Sequence, residues 1–263
     1  CLEAFCSANG YTLVDLDNIV TYPITGSFAA GSINWSIAED GTCTVTPMDT
    51  VTDGTVKFTM TITEPDAWST NVIYGGKQDL IKKLIVKSTA SVTVTQVQGG
   101  IVDMPNLEYV EFPATVTSHF GAWSTVGLFA NNPKLTTVGL AGSIENDVVD
   151  LTWLNMSINA SAELFNNICA GSTAITAVKL PETGDGIYRA GAFKGCTGLK
   201  SVTIPATNWT HIEANAFQDC TGLESVTILE VWNYDDSWPA GNPFNGCTNL
   251  KTISAHNAAI TRC

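Results

Sequence analysis

Histidine is the side chain best suited to proton transfer near neutral pH, and this 263-residue chain contains His119, His211 and His256. None lies in the H-E-x-x-H pattern of zinc hydrolases. The chain also lacks the G-x-S-x-G pattern of serine hydrolases and a G-x-x-x-x-G-K-[ST] phosphate loop. The acidic run at 15–18 lacks the glycine and the distal glutamate of an EF-hand. Because catalysis needs positioned partners, we expect no enzyme activity, no cofactor and no metal site.

Cysteine is the second residue type that could carry chemistry, and three of the eight cysteines share one spacing, with a fourth close to it. Cys196, Cys220 and Cys247 each follow a phenylalanine by three positions, and Cys169 lies near the same position. Free cysteine is among the most buried residue types, so this spacing predicts a buried column of free thiols. Zinc is the alternative, but its ligands usually come as C-x₂₋₄-C pairs, which these sulfurs do not form.

The other four cysteines, Cys1, Cys6, Cys43 and Cys263, lie outside the repeated positions. In an oxidising compartment they would cross-link the N-terminal region and the two ends, and Cys6–Cys43 is our preferred pair. A mature N-terminal cysteine is also typical of a lipoprotein. A lipid anchor on Cys1 therefore stays open, and it would be the chain's only expected contact with a membrane.

Internal repetition dominates the second half of the chain. The stretch AFKGCTGLKSVTIP at 192–205 returns as AFQDCTGLESVTIL at 216–229. The shorter pattern L-x-x-V-x-I, with apolar replacements, occurs about seven times between residues 81 and 255. Its first positions are Ile81, Leu107, Leu135, Ile175, Leu199, Leu223 and Leu250. A phenylalanine lies six positions before several of them, and Leu164-Phe165 is interpreted as the same marker displaced by an insertion.

The repeat predicts a stacked coil. Val202 and Ile204 alternate with polar residues, which indicates a strand with one buried face. The Ala-Phe segment has a wider apolar spacing, which predicts a helical or 3₁₀ turn on the opposite side. One repeat cannot bury its own apolar face, so the coils must stack into a solenoid with a parallel strand ladder. We expect residues 81–263 to form this array and residues 1–80 to form a β-rich cap.

The pattern LxxVxIP followed by IxxxAFxgCtxL resembles the BspA-like leucine-rich repeat family of bacterial and protist surface proteins. The stretch GSINWSIAEDGTCTVT at 31–46 is similar to the segment that often precedes such arrays, and its Asp40-Gly41 pair is a hairpin signal. The resemblance covers about 81–255. It implies an α/β repeat solenoid, coiled right-handed, and adhesion to proteins of a host or of neighbouring cells.

Charge and hydropathy exclude several classes of partner. The formal net charge is −13, which repels nucleic acid and anionic lipid surfaces. No apolar run approaches the length needed to cross a bilayer. Together with the cysteines and the resemblance, this composition leads us to expect an extracellular or cell-surface protein.

Side chains between the buried strand positions would point to an open face, where Tyr109, Thr203 and Thr227 are candidate contact residues. The plainer interpretation is that threonine and serine simply suit an exposed strand. The open face nevertheless remains a candidate docking surface.

Two insertions are further candidates. The 141–174 segment exceeds the core repeat by about one helix, and the 230–243 loop carries Trp232, Tyr234 and Trp238. Trp123 marks another aromatic spot. Insertions in solenoids often fall on the binding face, and aromatic residues in loops often anchor a partner. The same side chains would equally suit packing against a neighbouring coil.

Two functions therefore remain open. One is an interaction or adhesion module of a cell surface that recognises a protein partner without chemistry of its own. The other is a structural subunit of an extracellular filament or surface layer, which assembles from copies of itself through the solenoid. Large contacts or disulfides between copies would favour the second function, and a stable monomer would favour the first.

Overall fold

The computed structural model describes residues 7–10, 20–29, 32–58, 73–120, 127–154, 167–182, 187–188, 191–206, 211–229 and 242–255. Within these ranges the chain forms short strands joined by hydrogen-bonded turns, with a 3₁₀ turn at Gln78–Leu80. Most strand positions that the sequence marked as apolar are buried, and the positions between them mostly face outward.

An antiparallel sheet begins the fold. Its strands are β1 (Ile24–Phe28), β2 (Ile33–Ile37) and β3 (Thr42–Pro47). The predicted hairpin turn joins β2 to β3, where Gly41 has φ +84° and the Asp40 carboxylate accepts a 2.8 Å hydrogen bond from the backbone N–H of Thr42. The Trp35 ring crosses Gly26 so closely that a Cβ there would lie 2.3 Å from it. Glycine at position 26 therefore makes room for the indole.

The main ladder of parallel strands grows directly from β3. Its strands are β5 (Lys83–Val86), β7 (Tyr109–Phe112), β9 (Thr137–Leu140), β10 (Val149–Asp150) and β11 (Val178–Lys179). A separate group in the same repeat position contains β13 (Ser201–Ile204), β15 (Ser225–Ile228) and β16 (Thr252–Ala255). Because β3 pairs with β5, the N-terminal sheet is continuous with the coils. The division at residue 80 stays a prediction.

A second, smaller strand ladder was not predicted. It contains β4 (Thr55–Lys57), β6 (Gln96–Gln98) and β8 (Ser118–Phe120), and further along the chain β12 (Ile187–Tyr188) pairs with β14 (His211–Ile212). Each pair is parallel. Each coil in these regions therefore has a main strand, a shorter second strand and a turn.

The predicted stacking register is confirmed at its best-defined point. Val202 lies opposite Val226, and Val226 lies opposite Ile253, on adjacent parallel strands. Val202 and Val226 are buried, as stacked coils require. Val178 pairs instead with Val149 of β10, at the edge of the larger sheet.

The turn side of the coil carries no helix in the repeats at 191–199 and 215–223, which corrects the helical part of the expected α/β repeat. The backbone N–H of Phe193 donates to Ala216 O at 2.7 Å, and that of Phe217 donates to Pro243 O at 2.9 Å. These amides bond to the next coil and cannot serve an intrahelical bond. Gly195 and Asp219 both adopt positive φ (73° and 59°), which further prevents helix continuation.

The turn-side hydrogen bonds correct one repeat assignment. Phe129 N–H donates to Ile168 O, and Cys169 N–H donates to Ala192 O. Ile168 and Cys169 therefore occupy the Ala-Phe position of their coil, which the sequence had assigned to Leu164-Phe165. That pair lies outside the described residues. The assignment was wrong because Cys169 stands where the other coils have phenylalanine, and the Ala-Phe pattern depends on that phenylalanine.

The 141–174 insertion adds a strand to the main ladder. Val149 of β10 lies opposite Val138 on one side and Val178 on the other. On the turn side the flanking coils are direct neighbours, as the Phe129–Ile168 hydrogen bond shows. The excess predicted as about one helix is therefore, in its described part, an extra strand.

The core behind this extra strand is filled by aromatic packing. The ring centroids of Phe112 and Trp153 lie 5.0 Å apart, and Trp153 Nε1 donates to Asp150 O at 2.8 Å. Leu151 and Leu154 are buried beside them. The insertion is thus an integral part of the solenoid core.

Candidate interaction surface

The outward side chains of the main ladder and of the separate group β13, β15 and β16 form one surface, which we call the strand-lined face. Its members share alternation with buried neighbours: Lys83, Ile85, Tyr109, Glu111, Asp150, Lys179, Ser201, Thr203, Ser225, Thr227, Thr252 and Ser254. Parallel strands lie roughly 4.8 Å apart, so these side chains repeat at nearly regular intervals.

Tyr109 is held rigidly on this face. Its hydroxyl donates a 2.5 Å hydrogen bond to Glu111 Oε2, and Lys83 Nζ lies 5.9 Å from its ring centroid. Desolvation, and then the bond to Glu111, raises the pKa of Tyr109 to about 12. The ring is therefore held by Glu111 through its hydroxyl and has the Lys83 ammonium close to its face.

The loop 141–148 lies over β9 and is attached to the strand-lined face. A Cβ on Gly139 would meet Ile144 Cγ1 at 3.0 Å, so glycine lets the loop approach the strand. Asp147 N–H donates to Thr137 Oγ1 at 2.9 Å. Thr137 is only 4% exposed and Gly139 is buried, so on β9 the expectation that residues between the buried strand positions face solvent was wrong.

An ion pair extends this attachment to β11. Lys179 Nζ lies 2.6 Å from Glu145 Oε1, and both side chains remain about half exposed. The hydrogen bond to Glu145 raises the pKa of Lys179, with Asp150 adding a smaller effect. The loop therefore rises from the middle of the strand-lined face and separates a part with charges and an aromatic ring from a hydroxyl-rich part.

The hydroxyl-rich part contains two of the predicted contact residues. Thr203 lies opposite Thr227, and Thr227 lies opposite Ser254. Thr203 is exposed and Thr227 is half-buried. Their hydroxyls can donate and accept hydrogen bonds but form no arrangement for proton transfer or nucleophilic attack.

A shallow groove of about 530 Å³ continues the outward face onto the N-terminal sheet. Sequence reasoning did not find it because its polar residues are brought together only by the β1–β3 register. It is lined by Thr25, Gly26, Ser27, Asn34, Trp35, Ser36, Thr44 and Thr46.

The cysteine column belongs to the core and not to this surface. Cys196 Sγ donates to Cys169 O at 3.2 Å, and Cys220 Sγ donates to Phe193 O at 3.0 Å. Cys247 Sγ repeats the arrangement with Phe217 O at 3.0 Å. Burial raises the pKa of each column thiol. The predicted free thiols are confirmed, and Cys196, Cys220 and Cys247 each donate to a carbonyl of a preceding coil, whereas Cys169 lies at the Ala-Phe position of its own coil.

Oxygen and nitrogen take over the same role in earlier coils. Ser172 Oγ donates to Phe129 O at 2.7 Å, and Asn132 Nδ2 donates to Ile101 O at 2.7 Å. Asn132 Oδ1 also accepts from Met104 N–H at 3.0 Å. Small polar groups thus replace the thiol where the repeat is irregular.

The sequence of these coils is similar to that of one known repeat family. Residues 161–262 match the family described as BspA type leucine rich repeat region, in six copies. The coils within residues 161–262 are therefore similar to BspA-type leucine-rich repeats. The match falls on the part of the chain where the Ala-Phe and L-x-x-V-x-I patterns are most regular, and the resemblance stated from the sequence is confirmed.

Two bacterial proteins are among the solved structures that the chain matches. A leucine rich cell surface protein from Faecalibacterium prausnitzii A2-165 is 14% identical, with 92% of this chain and 98% of that chain covered and a TM-score of 0.29. The pneumococcal vaccine antigen PcpA is 12% identical, with 91% and 90% covered and a TM-score of 0.29. No curated protein matches this chain.

One cysteine outside the BspA-type repeats requires a correction. Cys43 is a free, fully buried thiol in β3, which corrects the expectation that it pairs with Cys6. Its side chain points inward because Cys43 lies opposite Leu84, at a core position of the ladder. Burial raises its pKa to about 12, so it is a core residue.

Several predicted site residues lie outside the described residues: Trp123, Trp232, Tyr234, Trp238, Cys1, Cys6 and Cys263. Their roles stay predictions. In the part of the chain that the structure describes, no group of three metal-ligating side chains comes together. No described helix is long and apolar enough to cross a membrane.

Proposed function

We propose that this protein is a non-enzymatic interaction module of an extracellular or cell surface, which binds a protein partner on its strand-lined face. The observation that carries the proposal is the loop 141–148, which is fixed onto that face by Ile144 over Gly139 and by the Lys179–Glu145 ion pair. The loop adds exposed side chains above the outward strands, which supports a contact surface at this place.

The two parts of the face offer different contacts. Tyr109 supplies a rigid aromatic ring beside charges, the kind of residue that often dominates binding energy. Thr203 and Thr227 supply hydroxyls on a regular strand surface, which suits hydrogen bonding to a protein backbone or to polar side chains. Adhesion to host or neighbouring-cell proteins is the specific role that the BspA-type repeats suggest.

The test is attachment of protein-coated beads to cultured epithelial cells. We expect attachment that is lost when the cells are first treated with trypsin, because the proposed partner is a protein. Thr203→Arg should reduce attachment strongly, since the larger cation occupies the exposed strand surface. Thr197→Arg is the matched control, because Thr197 is equally exposed but lies on the turn side.

Two results would contradict the proposal. Attachment that survives trypsin treatment would exclude a protein partner. Equal attachment by the Thr203→Arg and Thr197→Arg variants, together with a Tyr109→Ala variant that also binds normally, would place the contact away from the strand-lined face.

A further inference from the structure

Large apolar side chains are exposed at the two ends of the strand array. Among the described residues, Val20 (47% exposed) and Tyr22 (38%) precede β1, the outermost strand at one end. At the other end, Leu229 (39%) directly follows β15 and Ile253 (52%) lies in β16, the last strand. These four are all of the exposed large hydrophobic residues in the described chain, and none lies on the strand-lined face between the ends.

The C-terminal end has an incompletely covered core. Ile253 occupies the repeat position of Val226, which is 1% exposed. Phe244 and Leu250 are only half-buried, whereas Phe217 and Leu223 at the same positions of the preceding coil are fully buried. The side chains at this end are therefore those that one more stacked coil would cover.

The N-terminal end shows the same deficit. Ile24 and Phe28 face the core side of β1 but are only half-buried. Ile33 and Ile37, their partners on β2, are fully buried. This end also presents apolar side chains at the spacing of a strand, and no described strand covers them.

The strand directions at the two ends are compatible. β1 is antiparallel to β2, and β2 is antiparallel to β3, so β1 runs in the direction of the parallel strands that follow. β16 is parallel to β15, and β15 is parallel to β13. The turn-side hydrogen bonds join successive coils that run in the same direction. In the described sheets, β1 and β16 each have a strand neighbour on one side only. A second copy placed end to end can therefore continue the ladder in parallel.

We propose that the chain associates head to tail with a second copy of itself, and that the end carrying Leu229 and Ile253 covers the end carrying Val20 and Tyr22. The contact joins two different surfaces, so each dimer keeps one free end of each kind and the assembly extends into a filament. This surface is separate from the strand-lined face, which stays open along the filament.

Sedimentation velocity of the full chain over a wide concentration range, under reducing conditions, tests the proposal. The wild-type chain should form concentration-dependent oligomers without disulfides. Ile253→Lys and Val20→Lys should each weaken association about tenfold or more, because a charge replaces apolar surface at the contact. Thr203→Lys on the strand-lined face is the control and should associate like the wild type.

Mixing the two variants makes the test specific. Each variant keeps one intact end. An equimolar mixture should therefore form dimers that do not grow into longer oligomers, and neither variant alone should form oligomers. The following results would each overturn the proposal: a wild-type chain that stays monomeric throughout, variants that assemble like the wild type, or variants that dimerise alone. The thermal stability of Ile253→Lys should be compared with that of Val226→Lys, a buried position. Equal losses of stability would also overturn the proposal, because Ile253 would then be covered by residues of its own chain.

Discussion

The phenyl rings of Phe193 and Phe217 stack with their centroids 5.1 Å apart and their planes inclined by 11°. Phe244 continues the stack with a centroid distance of 5.6 Å from Phe217. Each ring comes from a different coil, so the stack connects segments that are distant along the chain. The fold is therefore held by contacts between equivalent positions, and a change in one coil is felt in both neighbours.

Phe217→Ala should lower the free energy of unfolding by about 3–5 kcal/mol, because the ring is fully buried between two others and its removal leaves a cavity. Urea denaturation followed by circular dichroism measures the change. Phe244→Ala is the matched control: the same ring, half-buried in the last described coil, should cost clearly less. An unchanged unfolding midpoint for Phe217→Ala would contradict the stacking register.

The sequence predicted the buried strand positions well because one physical requirement sets them. Leu199, Val202 and Ile204 must face the neighbouring coils, and any polar replacement there would leave an apolar neighbour uncovered. The spacing therefore repeats visibly. The same logic located the thiols of Cys196 and Cys220 in the core.

Other features were missed because no side-chain pattern specifies them. Gly195 and Asp219 look like variable surface residues, yet both adopt a left-handed backbone that glycine and aspartate tolerate. Strand β10 has only Val149 and Asp150, too short for a periodic signal. The attachment of Ile144 over Gly139 depends on tertiary contact alone. The sequence thus predicted the strand-lined face as a candidate site, but it did not predict that the loop 141–148 lies over that face.

Asn132→Ala should destabilise the fold by about 2–5 kcal/mol. The substitution leaves Met104 N–H without its acceptor and Ile101 O without this donor inside the core, and each buried unsatisfied group costs roughly 1–3 kcal/mol. Chemical denaturation measures the loss. Asn106→Ala is the control, because the half-buried Asn106 bonds only to Asp79 O and to Lys134 Nζ in solvent-exposed contacts, and its effect should stay within about 0.5 kcal/mol. Equal effects would show that the Asn132 bonds contribute nothing.

Gly139→Val should detach the loop 141–148 from the strand-lined face, because a side chain there would overlap Ile144. Hydrogen exchange measures this at Asp147, whose amide would lose its bond to Thr137 Oγ1 and exchange faster. Ser201→Val places the same side chain at an exposed position of the same face and should leave the Asp147 amide protected. Under the proposed function, Gly139→Val should also weaken attachment to cells. Unaltered exchange would mean that the loop is held elsewhere.

Alkaline pH should weaken the fold through its buried thiols. The pKa of Cys220 rises from 9.0 to about 12, chiefly because burial penalises the thiolate. A group with a raised folded-state pKa contributes its full stability below pH 9, and that contribution is lost as the pH rises toward 12. Urea denaturation at pH 8, 9, 10 and 11 should show Cys220→Ala losing stability less steeply than the wild type, by about 1.4 kcal/mol per pH unit. The exposed Thr221→Ala control should follow the wild-type slope, and parallel slopes for all three chains would contradict the buried-thiol account.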